Sequence, residues 1–364
     1  MVREQKMRII KSAFLATTIL SAGVTSASAE VNVMASIKPI HSLVSAMMDG
    51  AGTPSLIIEG AGSPHNYALK PSQAAALQDA DLVFWVGHDL EAFLEKAIDS
   101  VALNARSIAL SDAHGLTKIK FREGGSFDAH GHDEHNEHDE HDDHDDHDDH
   151  DDHDDHDKHD DHDKHDDHDD HDKHDDHDKH DDHGHDDHGH EGYDPHVWLD
   201  PENAKALIHE IEEALVAADP ENAATYERNA EAMMRKLDAL ITEINAELEP
   251  VKGKGYVVFH DAYQYFERRF GVSAVGSITV SPEILPGAKR VSELQEKVKS
   301  LDATCVFSEP QFEPKLVTTI TENTTARTGV LDPLGASMES GPGLYFTLIR
   351  TMAHSLKDCL LGKS

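Results

Sequence analysis

The stretch PENAATYERNAEAMMRKLDALITEINAELEP, residues 220–250, is the clearest indication of how this chain is organised. Its apolar side chains recur every three, four or seven residues, and no Gly or Pro interrupts them between the two terminal prolines. This spacing is typical of an amphipathic helix. At 1.5 Å per residue, a helix of about 28 residues would be about 42 Å long, which is longer than one lobe of this protein needs. We therefore predict that residues 220–250 form a long rigid helix that joins two lobes.

Short apolar runs that are typical of buried strands lie on both sides of this helix. Before it come VNVMASI (31–37), PSLIIEG (54–60) and ADLVFWVG (80–87); after it come GKGYVVFH (253–260), GVSAVGSI (271–278), ATCVFSEP (303–310) and RTGVLDP (327–333). Segments with helical spacing separate them, such as KPIHSLVSAMM (38–48) and AKRVSELQEKVKS (288–300). Alternating strands and helices predict an α/β fold. We expect one α/β lobe at 30–219 and a second at 251–364.

The N-terminal segment has the features of a signal peptide. Basic residues precede an apolar stretch at 13–24, and the small residues ASA at 27–29 form a cleavage site. We expect residues 1–29 to be removed and the mature chain to be exported and soluble. Cys305 and Cys359 are the two cysteines. In an oxidising compartment an isolated pair forms a disulfide more often than a metal site, so zinc ligation by thiolates is the less favoured alternative.

Residues 128–190, within the N-terminal lobe, form a tract of His and Asp that contains 32 acidic side chains and four lysines but no Leu, Ile, Val, Met or Trp. Such a segment has nothing to bury, and its charge repels itself, so we predict a disordered loop. Its histidines can hold zinc only after the backbone is ordered around the ion, which favours a low-affinity trap over a primary site. A solvated spacer is the alternative. The chain's net charge of −39 excludes nucleic acid as a partner.

Candidate metal ligands stand at the ends of predicted strands. His65 follows SLIIEG, His260 ends GYVVFH and Asp332 ends TGVLD, while His196 lies in YDPHVWLDP before a predicted helix that Asp200 caps. In open α/β sheets, ligands bind at the carboxyl ends of strands. Three imidazoles and one carboxylate make a four-coordinate zinc shell. This ligand set favours Zn²⁺ over manganese, which prefers more oxygen ligands, although binding of manganese or cadmium stays open.

Several stretches resemble the periplasmic zinc-binding proteins of bacterial ABC uptake systems, the ZnuA type. They are GAGSPHNYALKPSQ, DPHVWLDP, GKGYVVFHDAYQYFERRFG, PGAKRVSEL, SEPQF and LDPLG, which occur in the family's order and cover essentially the whole mature chain. The resemblance implies two α/β lobes joined by a long rigid helix, with the metal in the cleft between them and a charged, His-rich loop in the N-terminal lobe. It also implies capture of zinc in the periplasm and delivery to a membrane permease.

The family's three histidine ligands correspond to His65, His196 and His260. Some members carry Glu directly before the first of these, where this chain has Pro64. The fourth ligand is therefore Asp332, a water or a histidine of the tract, with Asp332 preferred. Cys305 and Cys359 match the family's disulfide in the C-terminal lobe. We expect a monomer that docks on the permease of an ABC transporter.

Two other functions compete with this one. A zinc hydrolase needs three ligands, an open position and a base, and three histidines could be such a set. However, the chain has no H-E-x-x-H outside or inside the repeat, and no Glu adjoins any of the three histidines. A metal buffer or chaperone whose function lies entirely in the tract would leave the strand-end histidines without a role. We therefore predict a protein that is not an enzyme.

Overall fold

The computed structural model describes residues 31–122, 192–279, 287–300, 304–313 and 315–363. The predicted signal peptide (1–29) and the His/Asp-rich tract (128–190) lie outside the described residues. The strands are β1 (Val33–Ala35), β2 (Ser55–Leu56), β3 (Leu82–Trp85), β4 (Arg106–Ala109), β5 (Tyr256–His260), β6 (Ala274–Thr279), β7 (Cys305–Ser308) and β8 (Arg327–Val330). The helices are α1 (Lys38–Met47), α2 (Pro71–Gln78), α3 (His88–Val101), α4 (Pro201–Ala218), α5 (Ala223–Leu248), α6 (Gln264–Phe270), α7 (Ala288–Ser300), α8 (Lys315–Thr321) and α9 (Leu344–Leu361).

The strands form two parallel four-stranded sheets with the same internal order. The first sheet runs β2-β1-β3-β4 and the second runs β6-β5-β7-β8. In each sheet the order reverses at the central pair, β1/β3 in the first and β5/β7 in the second. In open α/β sheets this switch point is where ligands bind, at the carboxyl ends of the strands. The predicted α/β fold with two lobes is confirmed.

Helix α5 spans 26 residues and is about 39 Å long at 1.5 Å per residue. Its buried face packs against α1 and α4 of the first lobe and against α6 and α9 of the second. The buried side chains are those of the predicted apolar stripe together with Ala230, namely Tyr226, Ala230, Met233, Leu237, Leu240, Ile244 and Leu248. The long connecting helix is therefore confirmed. It begins three residues later than predicted, because Pro220–Asn222 forms a separate turn of 3₁₀ helix.

One hydrophobic core continues from the first sheet to the second. It extends from Val33 in β1, through α4 and α5, to Leu360 in α9. A second, smaller cluster lies in the C-terminal lobe against α7 and α8. The predicted disulfide between Cys305 and Cys359 is confirmed and ties β7 to α9. In the described ranges, no helix combines the length and apolarity that a membrane span requires.

Among the predicted strands, the structure differs most at residues 54–60. The predicted strand at 54–60 is reduced to Ser55–Leu56. The next two residues, Ile57 and Ile58, still donate backbone hydrogen bonds to Ala35 and Ser36, but the chain then bends away from the sheet. That bend starts the segment that carries His65. The two-lobe boundaries at 219 and 251 remain a prediction.

Candidate metal site

His260 lies at the carboxyl end of β5, at the switch point of the second sheet. Its neighbour in that sheet is β7, which is followed directly by Glu309. The Glu309 carboxylate accepts a hydrogen bond from Nδ1 of His260 over 2.7 Å. With Nδ1 carrying the proton, Nε2 of His260 keeps its lone pair free for a metal. Both side chains are buried.

His196 is held in the same way by a different segment. It precedes a single turn of 3₁₀ helix that leads into α4, whose first turn is capped by Asp200. Nδ1 of His196 lies 2.7 Å from Oδ1 of Asp194, which also accepts the backbone N–H of His196. Asp194 is fully buried, so this carboxylate has a fixed position. As with His260, the remaining ring nitrogen Nε2 is presented to the site.

His65 stands on the loop that follows β2. Residues 59–66 form the part of the connection between β2 and α2 that contains two turns, and His65 is half-buried. Within the described chain, the hydrogen bond of this loop runs from the backbone N–H of His65 to Oγ of Ser63, over 3.4 Å. In the part of the chain that the structure describes, no acidic side chain pairs with the His65 ring. Of the three histidines, His65 is thus the least constrained.

The structure brings the three histidines together. One ligand atom from each lies within 4.8 Å of the others, and Nε2 of His196 is 3.4 Å from Nε2 of His260. The cavity between them is about 10 Å³ in volume, which is room for one ion or one water molecule. Its walls include Trp198, Phe312 and Leu334. Converging imidazoles in a small, mostly apolar cavity are suited to holding one zinc ion.

The three imidazoles differ in their affinity for protons. Burial, together with the neighbouring His196 and His260, lowers the pKa of His65 to about 2. Burial, and then His260, lowers the pKa of His196 well below its usual value. Burial also lowers the pKa of His260, but the Glu309 carboxylate outweighs it and the net shift is upward. His65 and His196 are therefore neutral at physiological pH, as metal ligands must be.

Asp332, the fourth predicted ligand, is not part of the group formed by the three histidines. Its Oδ1 accepts hydrogen bonds from Nε2 of Gln311 and from the backbone N–H groups of Leu334 and Gly335. Its Oδ2 is buried and has no hydrogen-bond partner in the described chain. Asp332 lines a neighbouring cavity beside Val330 and Met338 instead of the cavity between the histidines. Its assignment as a ligand stays a prediction.

The other histidines of the described chain lie outside this group. His41 is buried and its Nε2 contacts the carbonyl oxygen of Pro54. His88, His209 and His354 are exposed and pair with carboxylates on the surface. His114 is exposed as well.

Sequence reasoning missed the two carboxylates that hold the histidines, Asp194 and Glu309. Asp194 lies only two residues before His196 and could have been recognised as a local partner of that ring. Glu309 is 49 residues from His260. The available signal for Glu309 was that His260 ends one strand and Glu309 directly follows another, since two neighbouring parallel strands end at the same edge of a sheet. Strand neighbours cannot be read from this sequence alone.

Comparison with known proteins identifies relatives along the whole chain. The family model of the periplasmic zinc-uptake complex component A, ZnuA, matches residues 33–359. The high-affinity zinc uptake system protein ZnuA of Brucella abortus is 54% identical over 356 residues, covering 97% of this chain and 99% of that protein. The corresponding protein of Yersinia pestis is 33% identical over 355 residues, covering 98% of this chain and 99% of that protein.

A solved structure has the same fold. The crystal structure of a ZnuA deletion mutant with zinc bound superimposes with a TM-score of 0.65. It covers 91% of this chain and 98% of its own, at 21% sequence identity. At that identity the likeness concerns the fold alone.

Proposed function

Because the chain belongs to the ZnuA family of periplasmic zinc-uptake components, we propose that it binds Zn²⁺ in the periplasm with high affinity and delivers it to an ABC permease for import. One observation carries this proposal. Three imidazoles from separate parts of the chain place their ligand atoms within 4.8 Å of one another. A preformed shell loses little conformational entropy when the ion arrives, and this favours tight binding.

The proposed ligands are His65, His196 and His260, bound by one ring nitrogen each. Asp194 and Glu309 hold two of these rings from outside the shell, an arrangement that is common around zinc. Asp332 and a water molecule are the candidates for the fourth position. Asp332 is supported by its Oδ2 atom, which has no hydrogen-bond partner in the described chain. A water molecule is supported by the small size of the cavity between the histidines, which Asp332 does not line. A histidine of the tract is a third candidate.

A hydrolytic zinc site fits these residues less well. Catalytic zinc needs an open coordination position and a base that reaches the attacking water. The carboxylate oxygens nearest the histidines, Oδ1 of Asp194 and Oε1 of Glu309, each accept a hydrogen bond from a histidine ring. We therefore propose a binding protein without enzymatic activity.

The rest of the proposal concerns the protein's setting. Residues 1–29 act as a cleaved signal peptide, and the mature chain works as a monomer that docks on the permease. The His/Asp-rich tract serves as a low-affinity zinc trap. Nucleic acid is not a partner, because the net charge of −39 repels phosphate backbones.

Alanine substitution of the ligands tests the proposal. We expect His65→Ala, His196→Ala and His260→Ala each to weaken zinc binding by more than about 100-fold, because a direct ligand contributes more than a supporting partner. His88→Ala is the matched control, since His88 is also paired with a carboxylate but lies on the surface. Zinc affinity is measured by competition with a chelator that strips weakly bound metal. Wild-type affinity in two of the three ligand variants would refute the assignment.

A further inference from the structure

Three side chains of helix α6 form hydrogen bonds to residues 194–200, the segment that carries His196. Nε2 of Gln264 donates to Oδ2 of Asp194 over 3.0 Å. The hydroxyl of Tyr265 donates to the backbone carbonyl of the same Asp194 over 2.8 Å. Arg269 binds both carboxylate oxygens of Asp200, at 2.6 and 2.8 Å.

The same helix begins four residues after His260. The element that directly follows one proposed zinc ligand therefore holds the segment that bears another. His65 has no comparable attachment, because no hydrogen bond recorded in the described residues joins loop 59–66 to the remainder of the protein. His196 and His260 thus form a fixed pair, and His65 completes the group from a less constrained loop.

Among these side chains, Gln264 binds the carboxylate oxygen of Asp194 that His196 leaves free. Oδ1 of Asp194 accepts from Nδ1 and from the backbone N–H of His196, while Oδ2 accepts from Gln264. A carboxylate held at both oxygens cannot rotate about its Cβ–Cγ bond. Oδ1 therefore stays directed at the His196 ring, and the proton stays on Nδ1. Both Gln264 and Asp194 are more than nine-tenths buried, so water does not replace this hydrogen bond easily.

We propose that Gln264 is a positioning residue for zinc binding. It orients the His196 ring through Asp194 and so keeps Nε2 of His196 beside Nε2 of His260. This inference rests on the proposed zinc-binding function. In the described residues, Gln264 forms no hydrogen bond to a proposed ligand; its hydrogen bond goes to Asp194. Its effect must therefore pass through the Asp194 carboxylate, and that requirement can be tested.

A double-mutant cycle on the full mature chain measures this dependence. Gln264→Met keeps the size of the side chain but removes the donor. We expect it to weaken zinc binding about tenfold, the lower end of the range for partners outside the shell. Asp194→Asn should weaken binding by about 10- to 100-fold, and the double variant should bind no more weakly than Asp194→Asn alone. Gln295→Met is the matched control. Gln295 lies on α7 and also donates a hydrogen bond to a protein oxygen, the backbone carbonyl of Thr319. The zinc affinity of this variant should equal that of the wild type.

Zinc affinity is measured by chelator competition, and thermal unfolding of the metal-free variants shows that they fold. A wild-type affinity in Gln264→Met would overturn the proposal, and so would a full additional loss in the double variant, because a general effect on folding adds to the effect of Asp194→Asn. If Gln264→Met unfolds, Gln264→Glu gives a second measurement. That variant puts two carboxylates face to face and should weaken binding more than tenfold. If His196→Ala and His260→Ala instead bind zinc with wild-type affinity, the proposed function itself is refuted.

Discussion

His196 and His260 each commit one ring nitrogen to a buried carboxylate and leave the other for the metal. The two carboxylates come from different places, Asp194 from the same turn and Glu309 from the neighbouring strand. They have a common effect, because a ring whose Nδ1–H is fixed is already in the tautomer and orientation that zinc requires. At the scale of single residues, the proposed site therefore makes zinc affinity depend on two side chains that are not ligands themselves.

The first prediction at this scale concerns Glu309→Gln. The amide can still accept a hydrogen bond from His260, but it lacks the negative charge that makes the imidazole a stronger ligand. We expect zinc affinity to fall about tenfold or more. Glu95→Gln is the matched control, because Glu95 also contacts Nδ1 of a histidine, His88, at 2.6 Å on the surface. Equal affinities for the two variants, measured by chelator competition, would mean that the carboxylate beside His260 has no role in binding.

At the scale of elements, α3 of the first lobe contains an unusual buried acid. Glu91 lies in its first turn with non-helical backbone angles, and its carboxylate accepts the backbone N–H groups of Val86 and Gly87. Burial raises the pKa of Glu91 to about 7, outweighing these hydrogen bonds. In the unfolded chain the pKa returns to its ordinary value near 4.5. Between those two values the folded protein retains a proton that the unfolded chain releases.

This difference fixes the sign of a pH effect on stability. The contribution of Glu91 is fully present below pH 4.5 and is lost as pH rises to about 7, so the free energy of unfolding falls across that window. Glu91→Gln keeps the shape and does not titrate. Between pH 4.5 and 8, we expect the free energy of unfolding to fall by about 3 kcal/mol less in Glu91→Gln than in the wild type. Denaturant unfolding of the metal-free protein measures it, with Glu95→Gln on the same helix as control. Parallel pH curves for wild type and Glu91→Gln would contradict the raised pKa.

The elements also show how far the sequence predicts this fold. The spacing of apolar residues located α5 to within three residues, and the Asp200–Pro201 pair marked the start of α4. Strand β4 and helix α9 were not predicted. Strand β2 is shorter than expected, because the apolar residues Ile57 and Ile58 are buried beside β1 while the backbone already leaves the sheet. Burial alone does not distinguish a strand from a buried bend.

The histidines of the site could be predicted from the sequence, but the side chains that hold them could not. Histidines at strand ends suggested the ligands, since that position is set by local sequence. The partners of these histidines depend on which strands become neighbours and which helix crosses the lobes. Glu309 and Gln264 act across 49 and 70 residues of sequence. Such pairings follow from tertiary packing, so one sequence does not reveal them.

At the scale of the whole molecule, hydrogen bonds and packing join the two lobes around the histidines. Nε1 of Trp198 donates to the carbonyl of Pro333, and the Tyr345 hydroxyl donates to the carbonyl of Trp198. The ammonium of Lys38, at the start of α1, donates to three backbone carbonyls in the loop after Asp332. These contacts fix the positions of the segments around the histidines. The histidines of the tract have no such support in their sequence, and ordering each residue around an ion costs about 1–2 kcal/mol.

The central claim is that the tight zinc site consists of His65, His196 and His260 in the folded lobes and not of the repeat. Calorimetric titration of zinc into the mature protein with and without residues 128–190 tests it most directly. We expect one tight binding event per molecule in both proteins, with the same affinity, and additional weak binding only when the tract is present. If deletion of the tract abolishes the tight event while the protein remains folded, the primary site lies in the repeat and the claim is wrong.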